Sequence, residues 1–129
     1  MNIPVLKKDG VEADDIIGTL AVRAQNEGLD AYIVSGDKDF MQLINENIFL
    51  YAPGTKKSPN PIIYDSKKVE EKWGVPPEKI VDLLGLMGDS SDNVPGVSGV
   101  GEKTAVKLIK KYGSLDGALE NADQVSNKR

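Results

Sequence analysis

The stretch GVEADDIIGTLAVRAQNEGLDAYIVSGDKDF, residues 10–40, decides the fold. Its first part predicts a helix over residues 12–27, because apolar residues recur at helical spacing and acidic residues fill the first turn, where the helix dipole favours them. Gly28 can end that helix. The apolar run Ala31–Val34 then predicts a buried strand that ends at Ser35-Gly36. The stretch therefore indicates part of an α/β unit with acidic residues at two of its loops.

Short apolar runs on both sides extend this unit. The runs at 3–6 (IPVL), 48–52 (IFLYA) and 62–64 (IIY) predict strands, and FMQLI predicts one or two helical turns. The order β-α-β-α-β predicts a parallel sheet through right-handed crossovers. A strand as apolar as AYIV requires cover on both faces, and residues 1–65 supply few helices for that purpose. We therefore expect that the chain is a fragment of something longer.

The sequence pattern of the second half of the chain predicts helices and no strands after residue 65. After a Pro-rich and Lys-rich linker at 53–61, we predict helices over 66–73, from Pro76-Pro77 onward, over 102–112, and from SLDGALENA onward. This pattern predicts two domains, a partial parallel-sheet α/β domain over 1–65 and an all-helical domain over 66–129.

Composition excludes several kinds of chemistry. The 129 residues include no cysteine and no histidine, which removes thiolate metal sites, the Ser-His-Asp triad and most zinc sites. Any metal would be held by oxygen, which selects hard cations such as magnesium, manganese or calcium. No apolar run approaches the roughly 20 residues of a membrane span, and the first residues do not resemble a signal peptide. These features predict a cytoplasmic protein with no membrane partner.

Acidic residues occur in three clusters at loops where an α/β fold gathers ligands. Asp37 and Asp39 follow the buried strand, and the carboxyl ends of parallel strands are where such folds bind ligands. Asp89 and Asp92 are three residues apart, so a helical turn would place them on one side. The full set is Glu12, Asp14, Asp15, Asp37, Asp39, Asp89 and Asp92. Each cluster alone is more often a helix cap or a solvated turn, but seven carboxylates at one edge would suit two divalent ions.

Net charge does not exclude a nucleic-acid partner. The chain carries 16 basic and 20 acidic residues, a net charge of −4. Without the seven clustered carboxylates, the remaining 13 acidic residues face 16 basic ones, which leaves an excess of three positive charges. Bound divalent metal would screen the cluster, so the overall sign is a weak objection.

The segment PGVSGVGEKTA, residues 95–105, resembles the glycine hairpin of helix–hairpin–helix DNA-binding motifs. Three glycines, Gly96, Gly99 and Gly101, can take positive φ and let a partner approach closely. The next helix carries four lysines on one face and apolar residues on the other, so it can hold a phosphate backbone without reading sequence. The lysines are Lys103, Lys107, Lys110 and Lys111, and the apolar residues are Ala105, Leu108, Ile109 and Tyr112. A nucleotide P-loop is rejected because Glu102 interrupts the motif and no strand precedes it.

Three motifs together resemble the 5′-nuclease family, and most of all the 5′→3′ exonuclease domain of bacterial DNA polymerase I. They are GVEADDIIGTLA, VSGDKDFMQL and GLMGDSSDNVPGVSGVGEKTA, and their order and spacing make the resemblance specific. It implies a PIN-like α/β domain followed by a helix–three-turn–helix domain, with the family's N-terminal half absent from this chain. In the full-length protein such a domain can be followed by a polymerase domain, a point that the sequence of this chain leaves open.

The resemblance also implies a function in DNA replication and repair. Two divalent ions, Mg²⁺ or Mn²⁺, would act on DNA 5′ ends and flaps, held by the seven carboxylates. K⁺ at the hairpin would bridge backbone carbonyls to a phosphate of the duplex. The implied DNA-contacting residues are Gly96, Val97, Gly99, Val100, Gly101, Lys103, Thr104 and Lys107.

Two alternatives stay open at this point. The chain can be a non-catalytic module that binds duplex DNA through the hairpin and the lysine face. It can also be an acidic calcium or magnesium binder with no nucleic-acid role, although DKDFMQLINENI lacks the glycine at position 6 of an EF-hand loop.

Overall fold

The computed structural model describes residues 2–125 and contains five α-helices and three strands within that range. The helices are α1 (Ala13–Asn26), α2 (Ser66–Trp73), α3 (Ile80–Met87), α4 (Glu102–Tyr112) and α5 (Leu115–Glu120). The strands are β1 (Ala31–Val34), β2 (Ile48–Ala52) and β3 (Ile62–Tyr64), and 3₁₀ segments cover Lys38–Leu43, Pro77–Lys79 and Ala122–Gln124. Each helix within residues 2–125 is too short or too polar to cross a lipid bilayer.

The sheet is mixed: β1 and β2, which belong to the predicted β-α-β-α-β unit, are parallel as expected, and β3 adds an antiparallel edge. β1 pairs with β2 in parallel, with Ala31 opposite Ile48, and β2 pairs with β3 antiparallel, with Leu50 opposite Tyr64. A parallel connection needs a crossover of about a dozen residues or more. The loop at 53–61 is shorter than that and contains no helix, so the chain can only turn back.

The strand predicted for residues 3–6 is wrong. These residues adopt no regular structure, and the side chains of Ile3 and Val5 are 64% and 90% exposed. A strand forms only where its backbone can join a ladder. Within residues 2–125, no strand pairs with this segment.

Local signals place the helix ends close to where the sequence predicts them. Asp65 caps α2, because its Oδ1 accepts a hydrogen bond of 2.8 Å from the Lys68 amide. Gly74 ends α2 and Gly113 ends α4, both in the left-handed conformation that favours glycine at this position. These caps fix the direction in which the chain enters α3 and leaves α4.

One hydrophobic core runs through both halves of the chain. It includes Ile33 and Leu50 of the sheet, Val69 of α2, Leu83 of α3 and Ile109 of α4. The 3₁₀ segment Lys38–Leu43 packs against α3 within this core. The loop that follows β1 is thereby held beside the loop that follows α3, and both loops carry the acidic residues of interest.

The second face of the sheet is also apolar. Tyr32 and Val34 of β1 are 56% and 67% exposed, and Tyr32 stacks on Phe49 with ring centroids 5.0 Å apart. Tyr51 and Ile63 alternate onto the same face, and both are exposed or half-exposed. An apolar face of this size is typical of a surface that another element covers.

Candidate metal centre and nucleic-acid interface

The loop after β1 fixes two of the acidic side chains. Ser35 Oγ accepts a hydrogen bond of 3.0 Å from the Asp37 amide, and Asp37 Oδ1 accepts one of 3.0 Å from the Asp39 amide. Asp37 therefore caps the 3₁₀ segment Lys38–Leu43. The cap turns the Asp39 side chain, which is half-buried, toward the loop after α3.

The loop after α3 is closed by its own backbone. Asp89 and Val94 exchange two backbone hydrogen bonds of 2.9 and 2.8 Å, and Asn93 has a φ of +57° inside the closed loop. The expectation that Asp89 and Asp92 share a helical turn is wrong, because Gly88 ends α3 with a φ of +85°. The bridged loop nevertheless brings the two carboxylates together.

Asp39, Asp89 and Asp92 form one cluster, in which each offers a carboxylate oxygen within 4.8 Å of the others. Oδ1 of Asp39 is buried and has no hydrogen-bond partner within the described residues. Lys38 Nζ lies 2.7 Å from Oδ2 of Asp89, whose side chain is only 5% exposed. The cluster thus combines one neutralised carboxylate with one buried oxygen that is free to bind a cation.

The pKa values of these groups are shifted in opposite directions. Burial, together with the neighbouring Asp92 and Asp37, raises the pKa of Asp39 to about 6. The contact between Lys38 and Asp89 lowers the pKa of Asp89 and raises the pKa of Lys38 itself. The ionised form of Asp39 is therefore disfavoured in the folded protein, whereas the ionised form of Asp89 is stabilised.

The acidic start of α1 reaches the same region in part. Asp14 and Asp15 line a cleft of about 420 Å³ together with Asp39. A second cleft of about 350 Å³ is lined by Asp37, Asp39 and Asp92. Because Asp39 lines both clefts, it joins the α1 carboxylates to the loop after α3. Glu12 is exposed at the start of α1 and lines neither cleft.

The glycine hairpin is built by a close backbone crossing. Gly96 has a φ of +64°, and a side chain there would meet the backbone nitrogen of Gly88 at 2.4 Å. Gly99 has a φ of +80°, whereas Gly101 does not use the positive φ that glycine allows. Gly101 has a φ of −91° because it takes the extended N-cap position of α4. The amide of Val97 donates a 2.8 Å hydrogen bond to Leu86, which fixes the hairpin on α3.

Helix α4 presents a basic face and an apolar face as the sequence predicts. Its four lysines are exposed, and none forms an ion pair with a residue in 2–125. Ala105 and Ile109 are buried, and Leu108 packs against the core. No side chain caps the helix start, so its first amides point outward beside Lys103 and Thr104. This end of the helix can receive an anionic backbone.

Comparison with known protein families assigns both halves of the chain. Residues 1–74 match the 5′-3′ exonuclease N-terminal resolvase-like domain, and residues 75–129 match the 5′-3′ exonuclease C-terminal SAM fold. The chain belongs to the 5′-3′ exonuclease family. The resemblance found in the sequence is confirmed, as is the order of an α/β domain followed by a helical one.

Relatives of this chain are much longer than it is. DNA polymerase I of Bacillus caldotenax is 47% identical over 128 residues, which are 98% of this chain and 14% of that protein. A 5′-3′ exonuclease of Aquifex aeolicus is 44% identical over 119 residues, 92% of this chain and 39% of that protein. The solved T5 5′-exonuclease has the same fold, with a TM-score of 0.77, 24% identity, and coverage of 99% of this chain and 45% of the T5 chain.

Lys38 is the site residue that the sequence analysis missed. A lysine in an exposed-looking turn is usually solvated, and only the fold reveals that Asp89 lies within 2.7 Å of it. The sequence signal that could have identified Lys38 is its position between two aspartates, in the order Asp37-Lys38-Asp39.

The Gly88–Gly96 crossing leads to a stability prediction. Gly96→Ala is expected to lower the free energy of unfolding by about 2–4 kcal/mol, because the left-handed backbone and the contact with Gly88 both oppose a Cβ atom. Gly99→Ala is the matched control. It shares positive φ but has open space around it, and should lower the free energy of unfolding by about 1 kcal/mol. Urea unfolding measures both, and equal losses would contradict the importance of the crossing.

Proposed function

We propose that this chain is part of a metal-dependent 5′→3′ exonuclease and flap endonuclease that hydrolyses DNA phosphodiesters. The observation that carries the proposal is the convergence of Asp39, Asp89 and Asp92 within 4.8 Å, at loops from two separate parts of the chain. The Aquifex aeolicus relative is a 5′-3′ exonuclease, which agrees with this assignment.

The acidic residues fit a pair of hard divalent ions. Asp39 offers a buried oxygen that lacks a hydrogen-bond partner, and Asp92 offers an exposed carboxylate beside it. Asp14, Asp15 and Asp37 line the adjoining clefts and would hold metal directly or through water. Glu12 would take part only through water. Two bound Mg²⁺ or Mn²⁺ ions would lower the pKa of a bound water and stabilise charge on the phosphodiester oxygens.

The hairpin and α4 would hold the DNA. The exposed Lys103 and Lys107 would contact phosphates, while Gly99 and Gly101 have open space around them in which a strand could lie. Val97 and Val100 shape the turn, and Thr104 lies at the helix start. K⁺ bound to hairpin carbonyls would add one positive charge toward the phosphate. This arrangement positions DNA without reading its sequence.

The activity of the whole protein is part of the same proposal, because the chain spans only 14% of its DNA polymerase I relatives and 39% of the Aquifex aeolicus exonuclease. We propose that a further part of the nuclease domain pairs with β1 and covers the exposed face of Tyr32 and Val34. A polymerase domain, a domain boundary at 65/66 and a cytoplasmic location also belong to this proposal.

A complementation assay tests the function. The chain is incubated with a 5′-flap DNA and MgCl₂, alone and together with the segment of the Aquifex aeolicus 5′-3′ exonuclease that it does not match. We expect no cleavage by either polypeptide alone, cleavage by the mixture, and none when EDTA removes the metal. A mixture that forms a complex but leaves the flap intact would contradict the proposal.

A non-catalytic duplex-DNA-binding module is the second candidate, and the exposed lysine face of α4 favours it. Lys103→Glu with Lys107→Glu is expected to weaken duplex binding about 10- to 100-fold, because two phosphate contacts become repulsive. The slope of log affinity against log salt should fall by about one for each lost contact.

The matched control reverses two exposed lysines elsewhere, Lys56→Glu with Lys57→Glu in the loop between β2 and β3. This pair has the same effect on net charge but lies outside the hairpin and α4. Fluorescence anisotropy at several salt concentrations gives both readouts. Equal weakening by the two pairs would mean that binding follows net charge alone.

A further inference from the structure

Lys38 lies in an unusual place for an ammonium group. It belongs to the 3₁₀ segment after β1, yet its Nζ is 2.7 Å from Asp89 of the loop after α3. Its side chain is about one-third exposed, whereas that of Asp89 is 5% exposed. The contact therefore joins two separate segments that both carry residues of the acidic cluster.

Asp89 differs from its neighbours in having a cationic partner: its Oδ2 is paired with Lys38 as an ion pair, although this oxygen makes no hydrogen bond within the described residues. Oδ1 accepts 3.0 Å from the Ser91 amide, Oδ2 contacts Lys38, and its backbone is paired with Val94. Asp39, by contrast, has a buried oxygen without a partner. The lysine thus compensates one member of the cluster and leaves the others available.

The cluster needs such compensation when no metal is bound. Three carboxylates with oxygens within 4.8 Å of one another repel strongly at low effective dielectric. Among residues 2–125, Lys38 is the only basic residue that forms an ion pair with one of these three carboxylates. Without its charge, repulsion would push the Asp89–Val94 loop away from the 3₁₀ segment.

We propose that Lys38 is an internal counter-ion of the acidic cluster, which holds the two acidic loops together while no metal is bound. In the metal-free protein it keeps the loop that carries Asp92 against Asp39. When divalent metal binds, the ions take over this neutralisation, and the lysine then opposes them because it is a like charge at the same carboxylates. This inference rests on the metal centre of the proposed function.

Thermodynamic linkage predicts the direction in which metal affinity changes when the charge of Lys38 is removed. If Lys38 stabilises the metal-free protein more than the metal-bound one, then metal must bind more tightly once the lysine charge is removed. Lys38→Met should therefore be less stable than wild type without metal and should regain most of that loss in saturating metal. Its dissociation constant for Mn²⁺ should fall at least about fivefold.

The test uses all 129 residues of the sequence. It measures Mn²⁺ binding by the free-ion electron paramagnetic resonance signal, and urea unfolding with and without Mn²⁺. Lys38→Gln removes the charge but keeps a hydrogen-bond donor, so it serves if Lys38→Met does not fold. Lys38→Arg keeps the charge and should bind Mn²⁺ like wild type. Lys67→Met breaks an exposed pair with Glu71 elsewhere and should change nothing in Mn²⁺ binding.

The possible outcomes separate the two proposals. Equal destabilisation of Lys38→Met with and without Mn²⁺ would mean that the lysine is only a structural contact and would overturn the inference. Weaker Mn²⁺ binding by the charge-removing variants would overturn it too. In both cases, Mn²⁺ binding by the wild-type chain would still support the proposed metal centre. Absence of Mn²⁺ binding by wild type itself would overturn the metal centre and this inference together.

Discussion

Asp39→Asn is expected to abolish metal-dependent cleavage and at the same time to stabilise the metal-free protein. In the complemented nuclease, the cleavage rate should fall by about 10³-fold, because the variant removes the charged oxygen that both clefts share. Most substitutions at a structural ion pair lower stability and activity together. Opposite signs are therefore the signature of a carboxylate retained for metal binding.

The gain in stability follows from the environment of Asp39. Burial and the neighbouring carboxylates raise its pKa to about 6, so its charged form is disfavoured in the folded, metal-free protein at pH 7.5. One pKa unit corresponds to about 1.4 kcal/mol. Solvent screening at this half-buried site reduces the effect, so we expect a gain of about 1 kcal/mol.

Two measurements check this prediction, the flap-cleavage rate and the urea midpoint in EDTA. The control is Asp123→Asn, which neutralises an exposed carboxylate in the 3₁₀ segment Ala122–Gln124 and should leave both values unchanged. Full cleavage by the Asp39 variant would remove it from the proposed metal centre. Lower stability in EDTA would mean that its charge is compensated in the metal-free fold.

The sequence predicts the placement of the acidic and basic residues well wherever local signals are sufficient. Asp37 and Asp39 follow an apolar strand, and the end of a strand is a place that sequence periodicity identifies reliably. The boundaries of α4 follow from Gly101 and Gly113, and its two faces follow from helical spacing. Both features depend on residues that are close along the chain.

Features that depend on distant pairing were not predictable in this way. The run at 3–6 is apolar enough for a strand, but nothing local shows whether a partner strand exists. The loop from Asp89 to Val94 is closed by two backbone hydrogen bonds. The spacing of Asp89 and Asp92 suggests a helical turn instead, and a helical turn would not form these bonds. Lys38 acquires its role only when α3 brings Asp89 to it.

The acidity of Asp39 also predicts how metal binding depends on pH. A divalent ion binds the carboxylate and not the carboxylic acid, so the apparent Mg²⁺ affinity of the wild-type chain should fall about tenfold between pH 7 and pH 5, with its midpoint near the pKa of about 6. Asp39→Asn should bind Mg²⁺ weakly and with little dependence on pH in this range. Isothermal titration calorimetry at pH 5, 6 and 7 measures both.

Metal-free stability should change in the opposite direction over the same range. The pKa of Asp39 is higher in the folded protein than the ordinary value of 3.8, so its contribution to stability is fully present below pH 3.8 and is lost as the pH rises through about 6. The pKa of Asp89 is lowered by Lys38, so its contribution is present above pH 3.8 and is lost only in stronger acid. Between pH 5 and 7, Asp39 therefore determines whether the stability of the metal-free protein rises or falls with pH.

In EDTA, urea unfolding followed by the fluorescence of Trp73, the single tryptophan, should show greater stability at pH 5 than at pH 7. In saturating Mg²⁺, the order should reverse, because the metal holds Asp39 ionised. The same pH trend with and without Mg²⁺ would mean that the ion does not bind at Asp39.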